Sequence, residues 1–350
     1  MLFPQNFSFC TGMPCLKEMR KSCKMVGDIG ERRTKNMENL IFSLNATVPV
    51  FFFMVLGGIF HRLKFMDEDF VAKLNTFVFK ILLPVLLFQD LSGISIYQVW
   101  DGKFILFCFL VTAVSITLSF GISWLIRKEE IQGEFIQASY RSSAALLGMA
   151  FVQNIYGTST TTPLMIIGTV PLYNAAAVVI LSFFRRGERG NHLWKKTLKG
   201  IITNPIILGI LAGLLWACLG IPQPVIMEKV VDGVGSMATP LGLMAMGAAF
   251  EFHSVRENWK EIILCSFLKL VGFVAVFLPV AIGMGFRSES LVAIMVMLGS
   301  ATTVSCYIMA KNMGHKGDFT SSVVMITTLF SAFTITFWLW LMKSLGYIIV

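Results

Sequence analysis

Charge is what this sequence has least of. Asp, Glu, Lys and Arg make up only 14% of its 350 residues, against roughly 25% in soluble domains. With 55% hydrophobic residues and a mean hydropathy of +0.73, that scarcity excludes a soluble globular domain. Acid is the scarcer sign, at 20 Asp plus Glu against 29 Lys plus Arg. Asp90 and Asp232 fall near the ends of apolar runs and Glu134 opens one, so no central aspartate pair is present to bind sodium or relay a proton. The four histidines (His61, His192, His253 and His315) read as loop residues. Without an H-E-x-x-H motif or a Ser/His set, an enzyme within the membrane lacks its catalytic constellation. Seven cysteines form no C-x-x-C pair and no Cys/His cluster, so no metal site, disulfide or cofactor is expected.

What is present is apolar and repetitive. The chain holds 31 Phe and 20 Met. Measured with the ruler of about 20 apolar residues per crossing, it reads as ten spans. They lie near 40–61, 69–91, 104–126, 134–156, 162–184, 199–219, 228–250, 260–284, 289–311 and 320–346. The expected class is therefore an all-α polytopic membrane protein. Residues 1–36 are different: polar, with seven Lys/Arg and no apolar core of a signal peptide. They read as a disordered tail or an extension upstream of Met37, where the text turns to "MENLIFSLNATVPVFFFMVLGGIF".

The net charge of +9 lies in short loops between apolar runs, which is a topology signal and not a nucleic-acid surface. Alternate loops divide unevenly. One set holds fourteen Lys/Arg, six of them in or beside "RRGERGNHLWKKTLK" (185–199), and the opposite set holds four: Lys103, Lys229, Arg287 and Lys343. Since positive loops stay inside, the 185–199 loop is expected in the cytoplasm and both termini outside, in a multi-pass plasma-membrane protein.

The chain also matches itself. At an offset of 156, Pro49 falls on Pro205, Gly57 on Gly213, Lys73 on Lys229 and Pro84 on Pro240. All four pairs occupy equivalent points of spans one and two against spans six and seven. The domains are then 37–185 and 199–350, five spans each, joined by a linker at 186–198. Because five is odd, the second half enters from the opposite side. Such inverted repeats form their site where one span in each half is broken near the midplane. The weakly apolar candidates are span four, "YRSSAALLGMAFVQNIYG" (140–157), and span nine, "LGSATTVSCYIMAKNMGHKG" (298–317). Ser143 matches Ser300 and Gly157 matches Gly314 at an offset of 157.

These residues resemble the auxin efflux carrier family, which includes bacterial malate and malonate permeases and plant auxin exporters. The likeness runs from Met37 to the end. It is carried by "NATVPVFFFMVLGGIFHRLKFMDED" (45–69), "LNTFVFKILLPVLLF" (74–88), "PLYNAAAVVIL" (171–181), "TNPIILGILAG" (203–213) and "ATPLGLMAMGAAF" (238–250). "RSSAALLGMAFVQNIYG" stands where the family usually has R-G-N-x-x-x-G-L-P-L. The resemblance implies ten transmembrane helices in two inverted five-helix repeats, with discontinuous crossing helices in spans four and nine. It also implies a scaffold of spans one, two, six and seven, often a homodimer, and transport of organic anions. The family commonly breaks both helices with proline. Here Ser142 to Ala144 and Ala301 to Ser305 contain none.

A broken helix exposes amides at an N-terminal end that carries about half a positive charge and attracts anions. Ser142, Ser143, Thr302, Thr303 and Ser305 can donate to such an anion and satisfy the freed backbone; the plainer reading is that small residues pack helices closely. Arg141 lies about 10 Å inside its span at 1.5 Å per residue. It is expected either to serve the anion or to snorkel to water. Asn174 is expected to face the crossing. Lys80 and Lys269 are expected to meet a carbonyl or line the cavity. Asn204 is expected to cap carbonyls freed by Pro205, and Pro49, Pro84, Pro205 and Pro240 to kink the scaffold. The expected activity is a secondary transporter for a small organic anion such as malate, working by alternating access of the elevator type. An anion is driven outward by about 2.3 kcal/mol per charge per 100 mV. The alternatives are a sodium-coupled organic anion symporter and a non-transporting sensor of the same fold.

Overall fold

The structure is a computed structural model, and it describes residues 41, 44–45, 48–93, 101–157, 160–185, 203–250 and 252–348. The expectations for the tail 1–36 and the linker 186–198 lie outside the described residues. In chain order the helices are α1 (Val48–Arg62), α2 (Glu68–Ser92), α3 (Gly102–Ser123), α4 (Glu129–Tyr140), α5 (Met149–Tyr156), α6 (Thr162–Phe183) and α7 (Pro205–Leu219). They continue as α8 (Val225–Ser236), α9 (Ala238–Ala248), α10 (Phe252–Glu257), α11 (Trp259–Gly283), α12 (Ser288–Gly299), α13 (Ser305–Asn312) and α14 (Asp318–Ser344). No strand occurs among the described residues. Five helices, α2, α3, α6, α11 and α14, are long and apolar enough to cross a membrane, and α1, α7 and α12 are shorter apolar helices. Large apolar side chains such as Phe52, Leu106, Leu215 and Phe337 are exposed. A soluble monomer does not expose apolar surface on this scale. The molecule is a polytopic membrane protein.

Local chemistry sets the helix starts. Asp67 accepts from the Phe70 amide at 2.7 Å and Asp101 from the Phe104 amide at 3.1 Å, each as an N-cap. Asn204 caps α7 in the same way, accepting from the Ile206 amide at 3.0 Å. It therefore serves an amide, not the carbonyls expected from the sequence. Pro205 is the first residue of α7, where the missing N–H costs nothing, and it opens the helix without kinking one. Pro49 and Pro240 also stand in first turns, and Pro84 follows a π-helical turn at Val78–Leu82 within α2. Among the described residues Pro84, Pro171 and Pro279 thus lie inside helices.

Glycines let the scaffold backbones meet. A Cβ on Gly57 of α1 would collide with the Met244 backbone of α9, and one on Gly213 of α7 would lie 3.0 Å from the Phe88 carbonyl oxygen of α2. The offset of 156 that relates Gly57 to Gly213 also relates Phe88 to Met244. The two contacts thus match at that offset, α1 on α9 and α7 on α2.

Candidate functional site

The two weakly apolar stretches, 140–157 and 298–317, are both interrupted. After α4 the chain is non-helical at Arg141–Ser143, then resumes with a π-helical turn, Ala144–Gly148, leading into α5. After α12 it is non-helical at Ser300–Thr303, then resumes in α13. The residues that end the first halves take the same extended conformation: Arg141 has φ −71°, ψ 136° and Ser300 has φ −74°, ψ 163°. Structural equivalence at the break therefore pairs Arg141 with Ser300, two residues away from the pairing of Ser143 with Ser300. The two second halves end at Gly157 (φ 75°) and close to Gly314 (φ 90°), in the left-handed region that glycine reaches without strain.

The interruptions cross. The Ser143 amide donates to the Ala301 carbonyl at 3.0 Å. Each first half then needs partners for its last carbonyls. The Thr302 hydroxyl donates to the Ala138 carbonyl of α4 at 2.9 Å, and the Lys269 ammonium donates to the Leu298 carbonyl of α12 at 2.9 Å. Lys269 is buried and sits in a π-helical turn of α11, Leu268–Gly272. Its charge is well placed at a helix C-terminus. Lys80, expected in a similar role, is exposed. The Thr302 amide donates to Thr327 Oγ1 of α14 at 3.1 Å. Thr302 thus holds the crossing together and does not line the cavity beside it.

Arg141 is 1% exposed, so the snorkelling alternative fails. Its Nη2 donates to Asn174 Oδ1 at 2.7 Å and to Ser305 Oγ at 2.9 Å, and Nη1 lies 2.6 Å from Met309 Sδ. The guanidinium carbon stands 5.3 Å from the Tyr173 ring centroid, a cation–π contact. Asn174 is oriented for this by its own bond to the Val170 carbonyl at 2.9 Å. Arg141 Nε is buried without a hydrogen-bond partner, and among the described residues no carboxylate forms an ion pair with the group. A buried cation left uncompensated is costly.

A cavity of about 50 Å³ opens at this point. Arg141, Ser142, Ser143, Asn174, Thr303 and Ser305 line it, so six of the seven residues expected at the site are brought together. Leu83, Leu87, Tyr173 and Ile206 form an apolar side. Thr303 Oγ1 and Ser305 Oγ lie 3.2 Å apart, and at the start of α13 the Cys306 amide donates to the Thr303 carbonyl at 3.0 Å and the Ile308 amide to the Val304 carbonyl at 3.2 Å. The arrangement offers one fixed cation, several hydroxyls and a helix N-terminus, which together suit a small anion.

Two residues escaped the sequence reading. Asp90, placed at a span end, lines the cavity. Its position three, four and seven residues from Leu87, Leu86 and Leu83 puts it on their helix face, and that spacing was the available signal. Glu134 is 1% exposed and accepts from the Gly317 amide at 2.9 Å, the Thr320 amide at 3.0 Å and Thr320 Oγ1 at 2.8 Å. It locks α4 to the N-terminus of α14, against which α4 already packs through Phe135, Ala138, Phe319 and Val323. Lys269 meets a carbonyl, one of the two roles expected of it; that the carbonyl is the one of Leu298, at the end of α12, had no signal in sequence because the two lie on different helices.

The family described as membrane transport protein matches residues 42–339 of the chain. The chain is also similar to a protein of Rhizobium meliloti (strain 1021) described as "Putative malonate transporter". The two are 23% identical over 305 residues, covering 85% of this chain and 95% of that one.

Proposed function

This chain belongs to the membrane transport protein family, the permeases of auxin efflux carrier type, and from that premise we propose that it carries a small organic anion across the membrane through the crossing of its broken helices. The substrate class is a short carboxylate of the size of malonate or malate. The observation that carries the reading is Arg141: a buried guanidinium with no ion-pair partner among the described residues, facing a cavity also lined by Ser143, Thr303 and Ser305. The proposed architecture is ten spans in two inverted repeats. The repeated glycine contacts of Gly57 and Gly213 support it. In this reading spans one, two, six and seven form a static scaffold and the seam of a homodimer. The crossing helices ride with the remaining spans in an elevator-type alternating access. The 185–199 loop faces the cytoplasm and both termini face outward, at the plasma membrane.

The test is exchange in proteoliposomes. Purified protein is reconstituted with unlabelled malonate inside, and labelled malonate or malate is added outside. Saturable exchange that Ser143→Leu removes supports the reading. Binding in a thermal-shift assay without exchange would mark a sensor, and exchange that disappears when choline replaces sodium would mark a sodium symporter.

A further inference from the structure

Asp90 is the one carboxylate among the described residues that line the cavity containing Arg141. It is half-buried, and it makes no hydrogen bond or ion pair with the described residues. The groups around it leave its charge unspent. Helix α7, which packs along this part of α2, contributes no acidic or basic residue, and Cys218 at its far end is its titratable group. Helix α6 presents Tyr173 and no charge. Helix α8 carries Glu228, Lys229 and Asp232, all exposed, and Asp232 accepts a hydrogen bond from Gln89. On α2 itself Lys80 is exposed. Among the described residues that line the cavity, the charged ones are Arg141 and Asp90.

Charge balance then dictates a consequence. The empty cavity holds one positive and one negative group and is neutral overall. A substrate carboxylate that docks on Arg141 takes up the positive charge and adds a second carboxylate to a small, poorly hydrated space. Two carboxylates sharing such a site do not both ionise. We propose that Asp90 is the proton carrier of this transporter: its carboxylate takes one proton from water as the anion enters and returns it to water on the other side as the anion leaves. An O–H bond forms on Asp90 at loading and breaks at release, and no other bond changes. The proton offsets one of the anion's charges, so a monoanion leaves the loaded site neutral and a dianion such as malonate leaves it one charge negative instead of two, which lowers the cost of crossing a low-dielectric barrier. The cycle is symport of anion and proton. It rests on the crossing being the anion site.

The experiment uses full-length protein in proteoliposomes with the membrane potential clamped at zero by potassium and valinomycin. Labelled malonate accumulation is read against an imposed pH gradient, inside alkaline, with protein-free vesicles as the blank. One proton per anion predicts about tenfold accumulation per pH unit in the wild type. Asp90→Asn alters the rate, and its accumulation ratio falls to one at any gradient; Asp90→Glu keeps the gradient dependence. A wild type that exchanges malonate but accumulates none under a pH gradient overturns the coupling alone. So does an Asp90→Asn protein that still accumulates tenfold per unit. A wild type that exchanges no organic anion overturns both this proposal and the anion-site reading. If Asp90→Asn does not fold, the wild-type ratio and Asp90→Glu decide.

Discussion

Replacing Arg141 by Gln removes the cation that lines the cavity among the described residues, while keeping a side chain that can reach Asn174. In the folded protein Arg141 spends Nη2 on Asn174 and Ser305 and leaves Nε without a partner. A bound carboxylate would gain at least one charge-assisted hydrogen bond from it, worth about 1.5–3 kcal/mol. At 1.4 kcal/mol per factor of ten, malonate affinity should fall about 10- to 150-fold. The ligand-free melting temperature should move little. The variant loses the bond to Ser305 but also loses a buried charge that lacks an ion pair, and the two changes oppose each other. Isothermal titration of purified wild type and Arg141→Gln, each with a melting curve, gives both quantities. Because the site is buried, the affinity gap should persist from low to high salt, unlike that of a surface arginine. Arg141→Lys should fall between the two, since it keeps the charge but loses the planar fork. A dissociation constant within twofold of wild type, in a protein that melts normally, would show that the anion binds elsewhere.

Other perturbations test the frame around the site. Glu134→Gln replaces by an NH2 group either the oxygen that accepts from the Gly317 amide or the one that accepts from the Thr320 amide and hydroxyl, so a backbone amide loses its acceptor and the protein should be destabilised by about 1–3 kcal/mol in thermal or denaturant unfolding. Gly57→Val forces α1 away from α9 at a backbone contact and should cost at least about 1–3 kcal/mol, with Gly213→Val milder because its nearest neighbours lie at 3.0 Å. Size-exclusion profiles of the two variants give that order. Ser143→Leu and Thr303→Leu should each abolish exchange while leaving membrane insertion intact by fluorescence size exclusion; unchanged flux in both would remove the crossing as the site. Lys269→Met keeps the volume but leaves the Leu298 carbonyl unpaired, a loss of about 1–3 kcal/mol in unfolding free energy.

Much of the frame was legible because it depends on local composition. Apolar runs of membrane length must be helices, since lipid offers the backbone no hydrogen-bond partner. The 156-residue offset marked Gly57 and Gly213 before their matching contacts were visible. The two interruptions were legible as stretches poor in apolar residues. Their mechanism was less so: with no proline present, the break is held by Thr302 on Ala138, Lys269 on Leu298 and the Ser143 amide on Ala301, partners 29 to 164 residues apart.

What the sequence determined by itself is therefore the class, the helices and the places where two of them fail. The tertiary structure decided the rest of the site, because a side chain's role in a membrane depends on which way it can turn. Arg141 has the reach to snorkel, but the fold surrounds it with Asn174, Ser305, Tyr173 and Met309 and holds it inward. Thr302 and Thr303 are adjacent and chemically alike, yet one closes a helix end and the other lines the cavity. Asp90 reads as a residue near a span end, and the packing of α2 beside α7 turns it toward the same cavity as Arg141. Local pattern fixes where a polar group sits along a helix; only the neighbouring helices fix what it faces.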